Sequence, residues 1–407
     1  MRVQSCSILL GFYLLGCEIN DAEAPKAPPA RVLAQQSPAL SREPIPLLGP
    51  PDSGSLAPSA PMHAPLPREP SIVLAAGGDV NFGRECGQAI LQDVSYDPFS
   101  DLGAAWTSAD ARFVNLESQL SDQHGVTQSP QHRLIFTGPP GGADVLAHAR
   151  VSLVSTANNH AWDYGKSALL ETISNLERAQ VPFAGIGRDL EQAYRPALLR
   201  VNGLTLALFA VTHVWNQPPF ATHEGRDFVA WAALDKLKAG IERARRENDF
   251  VIVSYHGGEE YAQAPVEGTR RFLAAVMALG VDAVVGHHPH VPQGVGWVNG
   301  RPILYSLGNL AFAGHREKPW TLQSFFARIE LRKGEPPRVS ACPFTIDGHR
   351  PRSFERQHEA RSLELFRRHL VAISLYTGGV SVAAPDELGC LPVTAKVATQ
   401  PSLSFDN

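Results

Sequence analysis

From Ser71 onward the chain alternates between short apolar runs and longer segments of mixed polarity. The runs "SIVLAA", "ARFVNLE", "VSLVSTANNH", "LTLALFAVTH", "FVIVSYHGG", "DAVVGHH" and "RPILYSLGN" are rich in β-branched residues, and each reads as a buried strand. Gly77 and Gly78 follow the first run and predict a tight turn at its end. Between several runs lie segments with helical spacing: "GKSALLETISNLERAQ", "WAALDKLKAGIERARREN" and "GTRRFLAAVMALG". The last two end near Asn or Gly, as helices tend to. Strands alternating with helices in this way predict an α/β sandwich over residues 71–350. Residues 351–407 hold an amphipathic helix near Arg352 to Ile373 and then a frayed tail. No internal repeat is visible.

The first 70 residues show neither period. "MRVQSCSILLGFYLLGCEIN" has one basic residue and an apolar stretch of signal-peptide length, too weakly flanked for a stop-transfer helix. Leu14-Leu15-Gly16-Cys17 has the form of a bacterial lipoprotein box, in which cleavage at residues 1–17 leaves a lipidated Cys17. An ordinary signal with a chance cysteine is the other reading. Residues 18–70 are dominated by Pro, Ala and Ser, as in "APKAPPARVLAQQSP", and predict an extended disordered tether. Together they point to an extracytoplasmic domain anchored to the membrane of a bacterial envelope.

Composition adds exclusions. The chain has 407 residues, 44% of them hydrophobic, and a formal net charge of -4. It lacks the basic runs of nucleic-acid binding, so no nucleic-acid partner is expected. Five cysteines without CxxC spacing exclude a cysteine metal cluster. Cys342 and Cys390 are candidates to pair in an oxidising compartment, while Cys86 reads as buried.

Candidate chemistry gathers where the strands end. Asp79, Glu117, Asn159 with His160, His256, and the triplet His287, His288 and His290 each follow a predicted strand. Strands of one sheet bring such ends to one rim. Carboxylates, an amide oxygen and imidazoles together suit a hydrolytic metal centre for Mn, Fe or Zn. Such a set can hold two cations and activate a water between them.

The ordered blocks "GGDVNFGR", "VNLESQLSD", "TANNHAWDYG", "SYHGGEEY" and "VVGHHPHVPQG…ILYSLGNLAF" resemble the bacterial capsule-synthesis protein CapA family, over roughly Ile72 to Phe344. The resemblance implies a calcineurin-like metallophosphoesterase sandwich, two β-sheets flanked by helices. It also implies a role in making or anchoring an anionic polymer such as poly-γ-glutamate, beside the membrane proteins of capsule synthesis. Carried onto this chain it makes Asp79, Glu117, Asn159, His256, His288 and His290 metal ligands. His160 takes the place of the general acid, with Asp163, one helical turn on, to orient it. Arg84 is a candidate to meet an anionic group by a forked hydrogen bond, and Glu259 and His213 are candidates to touch substrate. His287 is out of phase with His288 and His290 and is not expected to be a ligand.

Two positions depart from the phosphoesterase pattern. Asn81 stands where a histidine is usual, and Glu117 where the bridging residue is aspartate. One tight ion and a weak or absent second are expected. Two functions fit: a metal-dependent hydrolase or transferase acting on the polymer, or a non-catalytic subunit that binds polymer or partner. Ser306, Gly308 and Asn309 are expected to shape the rim, and Trp162 and Tyr164 to pack.

Overall fold

The structure, a computed structural model, describes residues 70–93, 95–354 and 359–396. In chain order, β1 (Ser71–Val80) and β2 (Ala111–Leu116) are followed by two short strands, β3 (Gln119–Leu120) and β4 (Thr137–Gly138). Next come β5 (Leu153–Ser155), β6 (Phe183–Ala184), β7 (Ala197–Val201), β8 (Leu204–Thr212) and β9 (Phe250–His256). They precede β10 (Ala283–His287), β11 (Val295–Val298) and β12 (Arg301–Leu304). The last group is β13 (Gln323–Arg332), β14 (Arg338–Asp347), β15 (Arg350–Ser353), β16 (Val380–Val382) and β17 (Leu391–Ala395). One sheet has the order β16-β17-β14-β13-β1-β2-β5-β6 with β15 on β14; the other runs β11-β12-β10-β9-β8-β7. β3 and β4 form a small pair of their own.

Side chains alternate between the two faces of a strand, and here that alternation sorts them into layers. Leu74 of β1, Phe113 of β2, Leu208 of β8, Ile252 of β9 and Val285 of β10 meet in one core between the sheets. The opposite faces are covered by helices. Val114 and Leu116 pack with Ile90 of the helix Arg84–Gln92 and Leu146 of the helix Gly142–His148. Val251 and Val253 pack with Leu237 and Ile241 of Leu234–Glu247, and with Leu273 and Val276 of Glu267–Ala278. Leu273, Val276 and Met277 show why the last of these is a helix: spacings of three and four put them on one buried face. The result is the expected α/β sandwich, two sheets face to face with helices outside.

The rows that face the inter-sheet core turn polar at their ends. Phe113 is followed in phase by Asn115 and Glu117, Ile252 by Ser254 and His256, and Val285 by His287, all buried. β1, β2 and β5 are mutually parallel, as are β8, β9, β10 and β12. Their C-terminal ends therefore share a rim, where ligand sites form in α/β sheets.

Gly77 and Gly78 do not turn the chain, because β1 runs through them to Val80. What they allow is a close approach. A Cβ on Gly78 would lie 1.9 Å from the Gly308 carbonyl oxygen, and one on Gly286 would lie 2.0 Å from that of Tyr305. The segment after β12 threads through this gap. Asp79 N–H donates to Gly308 O (3.0 Å), Leu310 N–H donates to Asp79 O (2.8 Å), and Leu307 N–H donates to Gly286 O (3.3 Å). One stretch of backbone thus bonds both β1 and β10 and joins the two sheets at the polar rim.

The C-terminal region differs from expectation. Residues 350–353 form an edge strand on β14, and the helix begins only at Ala360. The expected frayed tail instead returns to the sheet as β16 and β17, pairing with β14, and a Cys342–Cys390 disulfide joins the two regions. Val380, Val382, Leu391 and Val393 are buried in the inter-sheet core. Runs this short, broken by Pro and Gly, carry no visible period. The residue-350 boundary therefore falls inside a sheet. Among the described residues no helix is long and apolar enough to cross a membrane.

The crossing makes a testable demand on Gly78. Gly78→Ala places a methyl against a backbone carbonyl, and overpacking of this kind costs about 1–3 kcal/mol. Its urea midpoint should fall accordingly. Gly268→Ala, with nothing within 4 Å of the new Cβ in the helix Glu267–Ala278, should leave the midpoint unchanged or raise it. Equal midpoints for Gly78→Ala and the unaltered protein would remove the close approach as a requirement.

Candidate metal centre

Two fully buried carboxylates, Asp79 and Glu117, face each other across this rim. Asp79 is well held. Its Oδ1 accepts from Asn115 Nδ2 (2.9 Å) and lies 3.3 Å from His287 Nδ1, while Oδ2 accepts from His288 N–H (3.2 Å) and lies 3.4 Å from His290 Nδ1. Glu117 has no such support, for neither of its oxygens has a hydrogen-bond partner. Its Oε1 lies 3.5 Å from His256 Nε2, 3.9 Å from His290 Nε2 and 4.0 Å from His160 Nε2. Donor atoms of Glu117, His256 and His288 lie within 4.8 Å of one another, and so do those of Asp79, Glu117 and His290. Two three-residue groups share one carboxylate. Asn159 adds an oxygen to the first, its Oδ1 standing 2.7 Å from His256 Nε2.

The charge balance explains what the cluster lacks. Burial drives Asp79 upward, but hydrogen bonds and charge from His287 and His290 outweigh it and hold the carboxyl well below its usual range. Burial, and then the charge of Asp79, push Glu117 well above its own. Burial and the neighbouring His288 push His256 far down, and burial with His290 pushes His288 down to about 3. His290 is the exception: burial lowers it, yet the adjacent Asp79 raises it overall. Neutral imidazoles at His256 and His288 are the form that binds metal. A divalent cation would supply the positive charge and the partners that Glu117 lacks, so the donor set fits one.

His160 sits beside this set and is tightly oriented. Its Nδ1 lies 2.9 Å from Asp163 Oδ2, which also accepts the Phe136 N–H (3.0 Å). The Phe136 ring stacks on the imidazole at 4.1 Å. The link from His160 to Asp163 crosses a turn rather than the helical turn expected. With Nδ1 engaged, Nε2 is the nitrogen turned toward Glu117.

Comparison with known proteins places the chain. The sequence model of the bacterial capsule synthesis protein family PGA_cap matches residues 73–314. The chain belongs to this family. It is 28% identical over 272 residues to the PGA biosynthesis protein CapA of Bacillus subtilis, covering 66% of this chain and 70% of that one. It is 27% identical over 212 residues to the capsule biosynthesis protein CapA of Bacillus anthracis, covering 51% of each chain. Solved structures are more distant. A hypothetical protein from Thermus thermophilus matches at a TM-score of 0.41 with 18% identity, covering 68% of this chain and 100% of its own. The NAD nucleotidase of Haemophilus influenzae matches at 0.39 with 10% identity, covering 73% of this chain and 56% of its own. Likeness at that level has no bearing on chemistry.

In this family member Asp79, Glu117, Asn159, His160, Asp163, His256, His288 and His290 are neighbours around one rim, through the contacts given above. His288 and His290 do not share a strand face as expected. His287 is the residue in phase with Ala283 and Val285, and it points inward to Asp79. His288 and His290 lie past the strand end and reach the centre through backbone at φ 98° and 58°. Asn81 Oδ1 accepts the Gly83 N–H at 2.7 Å, so the amide that stands in place of a histidine is tied to its own loop. Arg84 lies at the mouth, its guanidinium 4.7 Å over Phe136. Glu259 is exposed, and its neighbour Glu260 is the residue whose charge acts on Glu117 and His290. His213 is also exposed, edge-on to Trp231 at 5.2 Å and outside both ligand groups. Trp162 is buried against Trp215 and Phe228, as expected of a packing residue. Cys17 lies outside the described residues.

Two site residues went unread in the sequence: Asn115 bridges Asp79 and His256 (2.9 and 3.2 Å), and Phe136 clamps His160. Asn309, read only as shaping the rim, has its Oδ1 2.9 Å from His290 Nδ1. Strand phase from Phe113 to Glu117 pointed to Asn115. Phe136 had no sequence signal.

A shared carboxylate predicts an asymmetric pattern of metal loss. Glu117→Gln should lower metal content more than any single histidine variant. At excess metal His288→Ala and His290→Ala should each lose one ion and keep the other. After dialysis only the tight ion should remain, lost in His288→Ala and kept in His290→Ala, and Asn81→Ala should change little. Metal per chain at excess metal and after dialysis, measured by elemental mass spectrometry, checks this. Full occupancy in Glu117→Gln would exclude a shared ligand.

Proposed function

We propose that this protein is a metal-dependent hydrolase or transferase acting on an anionic surface polymer, with poly-γ-glutamate the polymer that the family resemblance implies. The observation that carries the reading is Glu117: a buried carboxylate with two unpartnered oxygens, facing neutral imidazoles and a second carboxylate. Glu117, Asn159, His256 and His288 would hold one Mn, Fe or Zn ion tightly. Asp79, Glu117 and His290 form a poorer set that would hold a second weakly. A bound ion of this kind supplies a Lewis acid and a water that ionises near neutral pH.

The chain's own residues then divide the remaining work. His160 presents Nε2 toward the carboxylates while Asp163 and Phe136 fix its ring. It is placed to give a proton to a departing group and to take one back. Arg84, whose Nη2 donates to Arg133 O (3.3 Å), offers its remaining donors to a substrate carboxylate. The bulk of Phe136 and Phe312 beside Arg84 and His290 limits water at the mouth.

The proposal extends to location. Residues 1–17 would be a signal ending at a lipidated Cys17, and residues 18–70 a tether holding the domain off a membrane, near the membrane proteins of capsule synthesis. The Cys342–Cys390 disulfide supports an oxidising, extracytoplasmic compartment.

Two experiments test these statements. His160→Ala should lower polymer turnover by about 10²–10⁴-fold, the usual contribution of a general acid, with metal content unchanged. Asp163→Ala should act in the same direction but less. Normal capsule production by His160→Ala in a complemented deletion strain would leave the protein a binding subunit. Separately, Cys17→Ala should release the protein to the soluble envelope fraction or leave it unprocessed, in either case without the acyl chains that stable anchoring needs. Unaltered protein recovered as soluble and unlipidated would remove the anchor.

A further inference from the structure

Two aromatic rings near His290 each carry a cation. Phe312 lies 4.8 Å from the imidazole, with the Arg84 guanidinium 5.8 Å from the Phe312 ring and 4.7 Å from Phe136. Tyr261 lies 6.2 Å from the imidazole, with Lys318 Nζ 3.1 Å from the Tyr261 ring centroid. His315 lies 5.9 Å beyond Tyr261. Among the described residues neither Arg84 nor Lys318 is ion-paired to a carboxylate. Glu260 acts on the Tyr261 hydroxyl instead.

A cation parked on a ring face is held in place, yet the N–H donors not engaged elsewhere stay open to an incoming anion. A salt-bridged lysine would have spent them. Arg84 gives only its Nη2, to Arg133 O (3.3 Å). The backbone agrees that these positions are imposed: Arg84 and Tyr261 adopt φ of 55° and 65°, a region that non-glycine residues rarely occupy. Tyr261 is fixed there by its N–H donating to Pro289 O (2.8 Å), inside the loop that carries His288 and His290.

We infer that Lys318 over Tyr261 is a second anion subsite, which together with Arg84 takes two carboxylates of one chain beside the metal centre. This rests on the proposed reading of the centre as a site for an anionic polymer. The occupant is a polymer with one carboxylate per repeat, successive repeats being read by Arg84 and by Lys318. Free glutamate, which has no second repeat, engages Arg84 and leaves Lys318 unmet. A nucleic acid fits less well. Cations lie over the Phe136 and Tyr261 rings and His160 also stacks on Phe136, so these rings are poorly available to stack a base.

The test is calorimetric titration of the metal-loaded full chain with free glutamate, with γ-glutamyl oligomers of increasing length, and with a single-stranded oligonucleotide of matched charge. The unaltered protein should bind oligomers more tightly than glutamate. Lys318→Gln should remove that gain, weakening oligomer binding roughly three- to fivefold, as for one exposed charge pair, and leave glutamate binding and metal content unchanged. Lys318→Arg should retain the gain, and Arg84→Gln should weaken every ligand. The subsite is overturned if Lys318→Gln leaves oligomer binding unchanged or weakens glutamate equally. It is also overturned if the oligonucleotide binds with the same dependence on Lys318. If the unaltered protein binds no γ-glutamyl ligand, the polymer reading itself fails, a result separable from a Lys318 effect that is merely absent.

Discussion

The structure turns on two carboxylates that are fully buried and close together. Burying Asp79 and Glu117 side by side is unfavourable unless positive charge or donors meet them. Asp79 receives them from the protein: an amide from Asn115, a backbone N–H from His288, and imidazoles on both sides. Glu117 does not, and that imbalance gives the centre its character. The rim must hold the pair rigidly. Two sheets that merely leaned together at their ends would let the carboxylates drift into solvent.

The glycines at 78 and 286 supply that rigidity by allowing another backbone to approach where a side chain would stand. Bonds from Asp79, Leu307 and Leu310 then stitch the crossing segment to both sheets. Binding and chemistry share the same few rings. Phe136 lies between His160 and Arg84, and Phe312 lies between Arg84 and His290. A shift of either ring would move a candidate proton donor or ligand together with a candidate substrate contact.

Much of this was legible in the residues. The apolar runs located the strands, and polar residues at their ends located the rim, because each inward-facing row stops being apolar where the core stops. Asp79, Glu117 and His256 were readable on that ground alone. The facing of His288 and His290 was misread because phase was counted among the histidines rather than from the strand, which ends at His287 itself. Gly78 was taken for a turn because a glycine needed for a close approach looks identical in sequence to one needed for a bend. Contacts between distant segments left no local trace. Phe136 against His160, and β16 and β17 returning to β14, are set by tertiary packing that no period records.

The pairing registers also fix where the domain begins and ends in space. β1 starts at Ser71 and runs on past Asp79, so the two lie roughly 25 Å apart at the usual rise of a strand. Val393 of β17 pairs with Val339, Val339 with Ile329, and Ile329 with Leu74, so the last strand also finishes on the Ser71 side. Both ends of the folded part leave from the rim opposite the metal centre. A domain held by either end would turn the rim that carries the two carboxylates away from its point of attachment.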